Sequence, residues 1–307
     1  DNKYVQKITP DLRFAAQLSE FRVALALDIL NNNSAYIADN AANLSYIAQI
    51  IINRILFIRV CEARKIEEDG LLLSYKTKGF WDAFKSSSYF EFFEHYDGPL
   101  FDRINAIHEI TVSNEVFDLL LQYLYYPSPY RFDVIPTKLL SDIYEIFLSK
   151  KLIIDAGTVK DEIKNAYLKT KGAVSTPQYI VQKIIKRTIQ RNKLLDAGIE
   201  NLLSVKVLDI ACGSGVFAIE AFDYIEEIFR ELFFESNHPD FQKYFVATNT
   251  DVIVNILGKK AIMDNCIFGV DIDPEAVEVA KMSLSLKIVD ASEFLESYNE
   301  IGIFGNK

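Results

Sequence analysis

Val207-Leu208-Asp209-Ile210-Ala211-Cys212-Gly213-Ser214-Gly215-Val216-Phe217 decides how this chain is read. The compact, β-branched run from Val205 to Ile210 predicts a buried parallel strand. It ends near an acidic residue and enters a turn holding two glycines, which permit backbone conformations and a close ligand approach that a Cβ would block. Asp209 sets a carboxylate where a bound ligand could carry an ammonium or sulfonium charge. Phe217, Ala221, Phe222, Ile225, Ile228 and Phe229 then predict a helix with one apolar face. Ile267 to Ile272 predicts a second strand, and Asp273 the cap of a helix beginning at Pro274, with Val277, Ala280, Leu284 and Leu286 on its inner side. Strand, glycine loop, helix, strand, helix is the start of a doubly wound α/β sheet. Only the start is expected, because such a sheet needs about five to seven strands.

Upstream, Thr176-Pro177 can cap and start a helix carrying Ile180, Val181, Ile184, Ile185 and Ile189. Residues 12 to 165 read mostly as helices. Leu44, Ile47, Ile51, Ile55, Ile58 and Cys61 line one face of the first clear one. Leu139, Leu140, Ile143, Tyr144 and Phe147, following Pro136, line a second. Between them Phe80, Trp81, Phe84, Tyr89, Phe90, Phe92 and Phe93 are expected to pack a core rather than stack on bases. The expected organisation is a helical domain over 1–165 and an α/β domain over 166–307.

Composition narrows the classes. The 307 residues suffice for two domains. Half are apolar and a quarter charged, as in ordinary globular proteins. The most apolar stretch, Leu44 to Val60, is interrupted by Asn53, Arg54 and Arg59, so a buried helix and not a membrane span is expected. Cys61, Cys212 and Cys266 are too scattered for a disulfide framework or a zinc site, and a reducing cytoplasm is expected. The start at Asp1 shows no signal peptide and no Met, so the protein is expected to begin earlier. The net charge of −10 has the wrong sign for a domain that mainly grips phosphates. If the intact protein binds DNA, much of its basic surface is expected elsewhere.

Three motifs carry chemistry. Gly213, Gly215 and Ala218 also fit the G-x-G-x-x-A dinucleotide fingerprint. Its ribose-binding acid should follow about 20 residues later, whereas Asp271 lies 56 residues beyond Gly215. A nicotinamide cofactor is therefore the minor reading. In Gly269-Val270-Asp271-Ile272-Asp273-Pro274, a carboxylate at the end of a parallel strand is well placed to accept both hydroxyls of a ribose, and Ile272 could cover an adenine face. Gly172-Ala173-Val174-Ser175-Thr176-Pro177-Gln178-Tyr179-Ile180 is, from its residues alone, a capped helix start.

In this order the three motifs resemble motifs X, I and II of amino-methylating DNA methyltransferases, in the class whose target-recognition domain comes last. Asn53-Arg54-Ile55-Leu56-Phe57-Ile58-Arg59 with Glu62, and Phe132-Asp133-Val134-Ile135-Pro136 leading to Ile143-Tyr144-Glu145, resemble the connector of single-chain type IIG restriction–modification enzymes. The resemblance implies N6-adenine methylation of double-stranded DNA with S-adenosylmethionine, in a restriction–modification or phage-defence system. It implies that Thr176 and Pro177 flank the methionine end of the cofactor. Asp209, Ala211, Gly213 and Gly215 would form the pocket wall, and Asp271 with Ile272 would hold ribose and adenine. The family usually has an aromatic where Val174 or Ser175 stands. The stretch from Phe233 to Lys260 is expected to be a helical insertion.

No catalytic residue is expected in this chain. Amino methylation uses an Asn/Asp-Pro-Pro-aromatic motif against a flipped base, and the sequence has no Pro-Pro pair. Ser128-Pro129-Tyr130 is read as a connector turn. The chain as given is therefore expected to bind cofactor weakly or not at all, and not to methylate. Pro10-Asp11 and Glu162-Ile163-Lys164 match nuclease letters but stand far apart, in what reads as helical or loop context, so no metal site is expected. His95, His108 and His238 are read as surface or capping residues. Two other classes stay open: a methyltransferase acting on protein or RNA, and a non-catalytic module exposing an apolar patch on helices 44–63 or 136–150.

Overall fold

The computed structural model describes residues 10–37, 41–96, 99–102, 104–133, 149–163, 176–235, 243–247 and 252–289. It is mostly helical with a few short strands. The chain divides into two compact units, one of residues 1–91 with 102–173 and one of residues 92–101 with 174–307.

The first unit is built on α1 (Pro10–Asn32), α2 (Ala41–Ala63), α3 (Leu71–Lys78), α4 (Phe80–Tyr89) and α5 (Val116–Leu124). Sequence periodicity predicts one apolar face for α2, yet Ile50, Ile52, Leu56 and Phe57 are buried along with Ile47, Ile51 and Ile55. A helix apolar all round is a core helix. Asn43–Ala63 is long and apolar enough to cross a membrane, but 89% of its most apolar window is buried. It offers no exposed patch for a partner. Its polar residues turn inward: Gln49 Nε2 donates to Asn53 Oδ1 at 2.6 Å, and Arg54 Nη2 donates to the Asp102 carbonyl at 2.6 Å. Phe80, Trp81 and Phe84 are buried, and Phe80 stacks on Phe117 with ring centroids 4.2 Å apart. They pack a core, as expected, although Phe90 is exposed.

Residues 150–163 correct the helical reading of this half. They form a hairpin of β1 (Lys150–Asp155) and β2 (Thr158–Ile163), antiparallel, with Asp155 opposite Thr158. Ala156 and Gly157 both adopt left-handed φ, 47° and 77°, the geometry a two-residue hairpin turn requires. Glu162 is thus on a strand, not in a helix or loop. Asp161 accepts a hydrogen bond from Ser19 and lies 3.8 Å from the fully buried Arg22, which also donates to Ser45. The predicted helix over Leu139–Phe147 and the segment Val134–Pro136 lie outside the described residues, as do His238 and the side chain of His95. His108 is half-buried.

The two connector-like segments meet where Arg59 lies over Phe132, beside Glu62, which is fully buried. Its carboxylate accepts from Leu72 N at 2.8 Å and Tyr125 Oη at 2.5 Å, and Arg59 Nη1 lies at 3.3 Å. The Arg59 guanidinium lies 4.5 Å from the Tyr125 ring centroid and 5.3 Å from that of Phe132. Burial raises the Glu62 carboxyl above its ordinary value, outweighing these hydrogen bonds. The native state therefore holds this proton more tightly than the unfolded chain does. The resulting stabilisation is fully present below the unfolded carboxylate value, about pH 4, and is lost as pH rises through the folded one. Glu62→Gln is expected to flatten the part of the stability–pH profile that falls as pH rises above about 4. Denaturant unfolding at a series of pH values measures it; an unchanged slope would contradict the assignment.

The second unit contains α6 (Gln178–Thr188), α7 (Arg191–Ala197), α8 (Ile199–Ser204), β3 (Val207–Asp209), α9 (Val216–Glu235), β4 (Phe245–Ala247), β5 (Val252–Val254), α10 (Ile256–Cys266), β6 (Ile267–Gly269) and α11 (Pro274–Val289). The core surrounds α9: Phe222, Ile225, Ile228 and Phe229 pack with Val181 and Ile185 of α6, Leu202 of α8 and Ile262 of α10. β3 and β6 pair in parallel, Val207 opposite Ile267 and Asp209 opposite Gly269. The stretch read as a helical insertion also contains strands: β4 and β5 form an antiparallel pair, Phe245 opposite Val254. Burial of the Val205–Ile210 run also needs correction. The strand is three residues long, Leu208 is 59% exposed and Ile210 is 78% exposed. Among the described residues β3 pairs with β6 alone, and a two-stranded ribbon cannot cover both faces of a strand.

Candidate functional site: a glycine loop braced by Asp271

β3 and β6 end side by side, and the ladder continues past their ends. Val270 N donates to the Asp209 carbonyl at 2.8 Å, and Cys212 N donates to the Val270 carbonyl at 3.0 Å. The turn 210–215 is thereby held against 270–273, at the carboxyl ends of two parallel strands, where open α/β sheets bind their ligands.

Glycine is required here for two different reasons. Gly213 adopts φ 52°, and a Cβ there would meet nothing within 4 Å, so its surroundings are open. Gly215 adopts φ 89°, and a Cβ there would lie 3.1 Å from Ala280 Cβ and 3.3 Å from Ala280 Cα. Gly215 lets α9 begin tight against α11, its N–H closing the turn onto the Cys212 carbonyl at 2.8 Å. Cys212 is buried, and its Sγ would be 3.0 Å from a Cβ on Gly269. Burial, with the charges of Asp271 and Asp209, raises its thiol above the ordinary value, so Cys212 is a neutral packing group.

Asp271 braces the loop. Its Oδ2 accepts from Gly213 N at 2.8 Å and its Oδ1 from Asp273 N at 2.8 Å. A carboxylate has about four acceptor sites, so each oxygen can accept one further hydrogen bond. That is the requirement for holding a ribose diol. Ile272 is fully exposed beside it and free to cover a flat ring. Asp209 Oδ1 accepts from Ala211 N at 3.1 Å, and Ala211 is exposed. Asp273 caps α11 through Glu275 N at 3.0 Å. Asp209, Asp271 and Asp273 surround a loop with no Lys or Arg in 207–219 or 267–275. The carboxylates favour a cationic group beside them.

The structure thus brings Asp209, Ala211, Gly213, Gly215, Asp271 and Ile272 together. Thr176 and Pro177 stand at the start of α6 and make no hydrogen bond to the loop among the described residues. The expected capping differs in detail. Pro177 is itself the cap, its carbonyl accepting from Ile180 N at 2.8 Å, and no side chain caps the helix. Gly172 to Ser175 lie outside the described residues. Sequence reading passed over Gln178 and Gln182, whose amides both reach the buried Glu220 of α9. The four-residue spacing of the two glutamines was the available signal. Among the described residues no cluster of His, Cys, Asp and Glu could hold a metal ion.

Comparison with known proteins bears on this geometry. The type II restriction enzyme and methyltransferase RM.Eco57I of Escherichia coli is 31% identical over 293 residues, covering 94% of this chain and 28% of that protein. The putative type II restriction enzyme and methyltransferase RM.MjaORFECS2P of Methanocaldococcus jannaschii is 23% identical, covering 79% and 25%. The chain therefore spans about a quarter of the length of these relatives. Among solved structures, the type IIL restriction-modification enzyme MmeI in complex with DNA aligns at a TM-score of 0.45 and 16% identity, over 91% of this chain and 37% of that one. The family described as N-6 DNA Methylase matches residues 136–300, more than half of the chain and all of the glycine-loop site. The chain belongs to the N-6 DNA methylase family.

Proposed function

We propose that the intact protein transfers a methyl group from S-adenosylmethionine to the N6 amine of adenine in double-stranded DNA, in a restriction–modification or phage-defence system. In this reading residues 1–165 are the helical connector and 166–307 begin the methylase. Family membership supports the reaction class, and the relatives' names support the restriction–modification setting. The single observation that carries the cofactor reading is the Asp271 brace: a preformed glycine loop with an acceptor carboxylate at its edge. Three buried free thiols fit a reducing cytoplasm.

When bound, the cofactor supplies a methyl group activated by its sulfonium. Asp271 accepts the ribose hydroxyls, and Ile272 covers one adenine face. Asp209 holds negative charge near the sulfonium and ammonium. Gly213 and Ala211 keep the loop wall low, and Thr176 and Pro177 border the methionine end. These groups orient the donor for in-line displacement. The β3–β6 pair is the start of a doubly wound sheet whose further strands cover Leu208 and Ile210.

Ligand-detected NMR on the 307-residue chain tests the cofactor class, because it reads weak binding. Saturable transfer to S-adenosylhomocysteine, with none to NADH, is expected. Binding of NADH in its place would overturn the reading.

A further inference from the structure

We propose that Glu220 is a positioning residue that sets the amino-acid end of the cofactor pocket. The inference rests on the cofactor reading above and adds to it a residue outside the three motifs. Glu220 is 8% exposed, on α9. Gln178 Nε2 donates to its Oε1 at 2.5 Å, and Gln182 Nε2 donates to its Oε2 at 3.1 Å. The two amides stand one turn apart on α6 and engage different oxygens, so they fix both the rotation and the axial register of the helix.

What the bridge joins gives it meaning. Gln178 is the first residue of α6, directly after Pro177, and Glu220 sits in the second turn of α9, whose start follows Gly215. One carboxylate therefore ties the start of α6 to the helix that begins at the glycine loop. Val181 and Ile185 already supply apolar packing between these helices. Packing alone is non-directional and tolerates sliding. A buried carboxylate held by two neutral amides, with no ion-pair partner among the described residues, is also a poor way to gain stability, and an apolar residue would avoid its desolvation. Its advantage is geometric: Thr176 and Pro177 are held at one place relative to Gly213 and Gly215.

The test separates the two ends of the ligand. In the full 307-residue chain, Glu220→Leu is expected to keep the melting temperature while weakening S-adenosylhomocysteine by roughly tenfold. Adenosine, which lacks the amino-acid end and reaches only the Asp271 side, is expected to bind unchanged. The double variant Gln178→Glu with Glu220→Gln restores a donor–acceptor pair and is expected to recover most of the loss. Should Glu220→Leu fail to fold, Gln178→Ala with Gln182→Ala gives the same reading. Equal weakening of both ligands, or of neither, would overturn the positioning role and leave the cofactor reading standing. Binding of neither ligand by the intact protein would overturn both.

Discussion

Asp271→Ala is expected to lower affinity for S-adenosylhomocysteine by about a hundredfold, bringing it below detection in a chain that binds weakly. The variant loses two charge-assisted hydrogen bonds to the ribose, together about 3 kcal/mol, which corresponds to roughly two decades in affinity. It also leaves Gly213 N and Asp273 N without their acceptor, so the loop loses its brace. Asp271→Asn separates these roles. Its one amide oxygen can accept from Gly213 N or Asp273 N while its NH2 faces the other donor, so the brace is expected to be weakened by half while the diol loses its charged partner. Amide exchange at Gly213 reads the brace, and ligand-detected NMR reads the affinity. Unchanged affinity in Asp271→Ala would reduce Asp271 to a structural turn residue.

Gly215→Val is expected to destabilise the second unit strongly. The left-handed φ of 89° costs a Cβ-bearing residue about 1–2 kcal/mol, more when β-branched. The new Cβ would meet Ala280 Cβ and Cα at 3.1 and 3.3 Å, and Ala280 Cα is backbone that cannot rotate away. Overpacking of that kind adds about 1–3 kcal/mol. A total of about 3 kcal/mol predicts a fall of about 10 °C in the unit's melting temperature. Gly213→Ala is the internal control. Its φ is also left-handed, but its Cβ would find open space, so a loss of only about 1 kcal/mol is expected. Thermal melting ranks the two, and equal losses would show that contact with Ala280 is not what requires Gly215.

Much of the site was legible because its determinants are local. Two glycines, two strand-end carboxylates and an Asp-Pro helix start are short-range features, and the structure places them as a loop, a brace and a cap. Exposure was not local. Val205–Ile210 has the composition of a buried strand, but burial depends on neighbouring strands, and Leu208 and Ile210 are exposed beside a single described partner. The hairpin at 150–163 was missed because Lys150-Lys151 and Lys160-Asp161-Glu162 blur the alternation, while its turn signal, Ala156-Gly157, departs from the usual Asn-Gly. The helical reading of α2 was right but one-sided, since periodicity cannot show that a helix is enclosed on every side. Glu220 was invisible because its partners are about 40 residues away, and only tertiary packing brings them together.

The central claim is tested most directly by the methyl group itself. The longer protein containing this chain, given methyl-labelled S-adenosylmethionine and double-stranded DNA, is followed by digestion of the DNA to nucleosides. The account predicts label in N6-methyladenine, lost in the Asp271→Ala variant. Label in N4-methylcytosine would contradict the assigned base, and label found in protein or RNA with none in DNA would contradict the account as a whole.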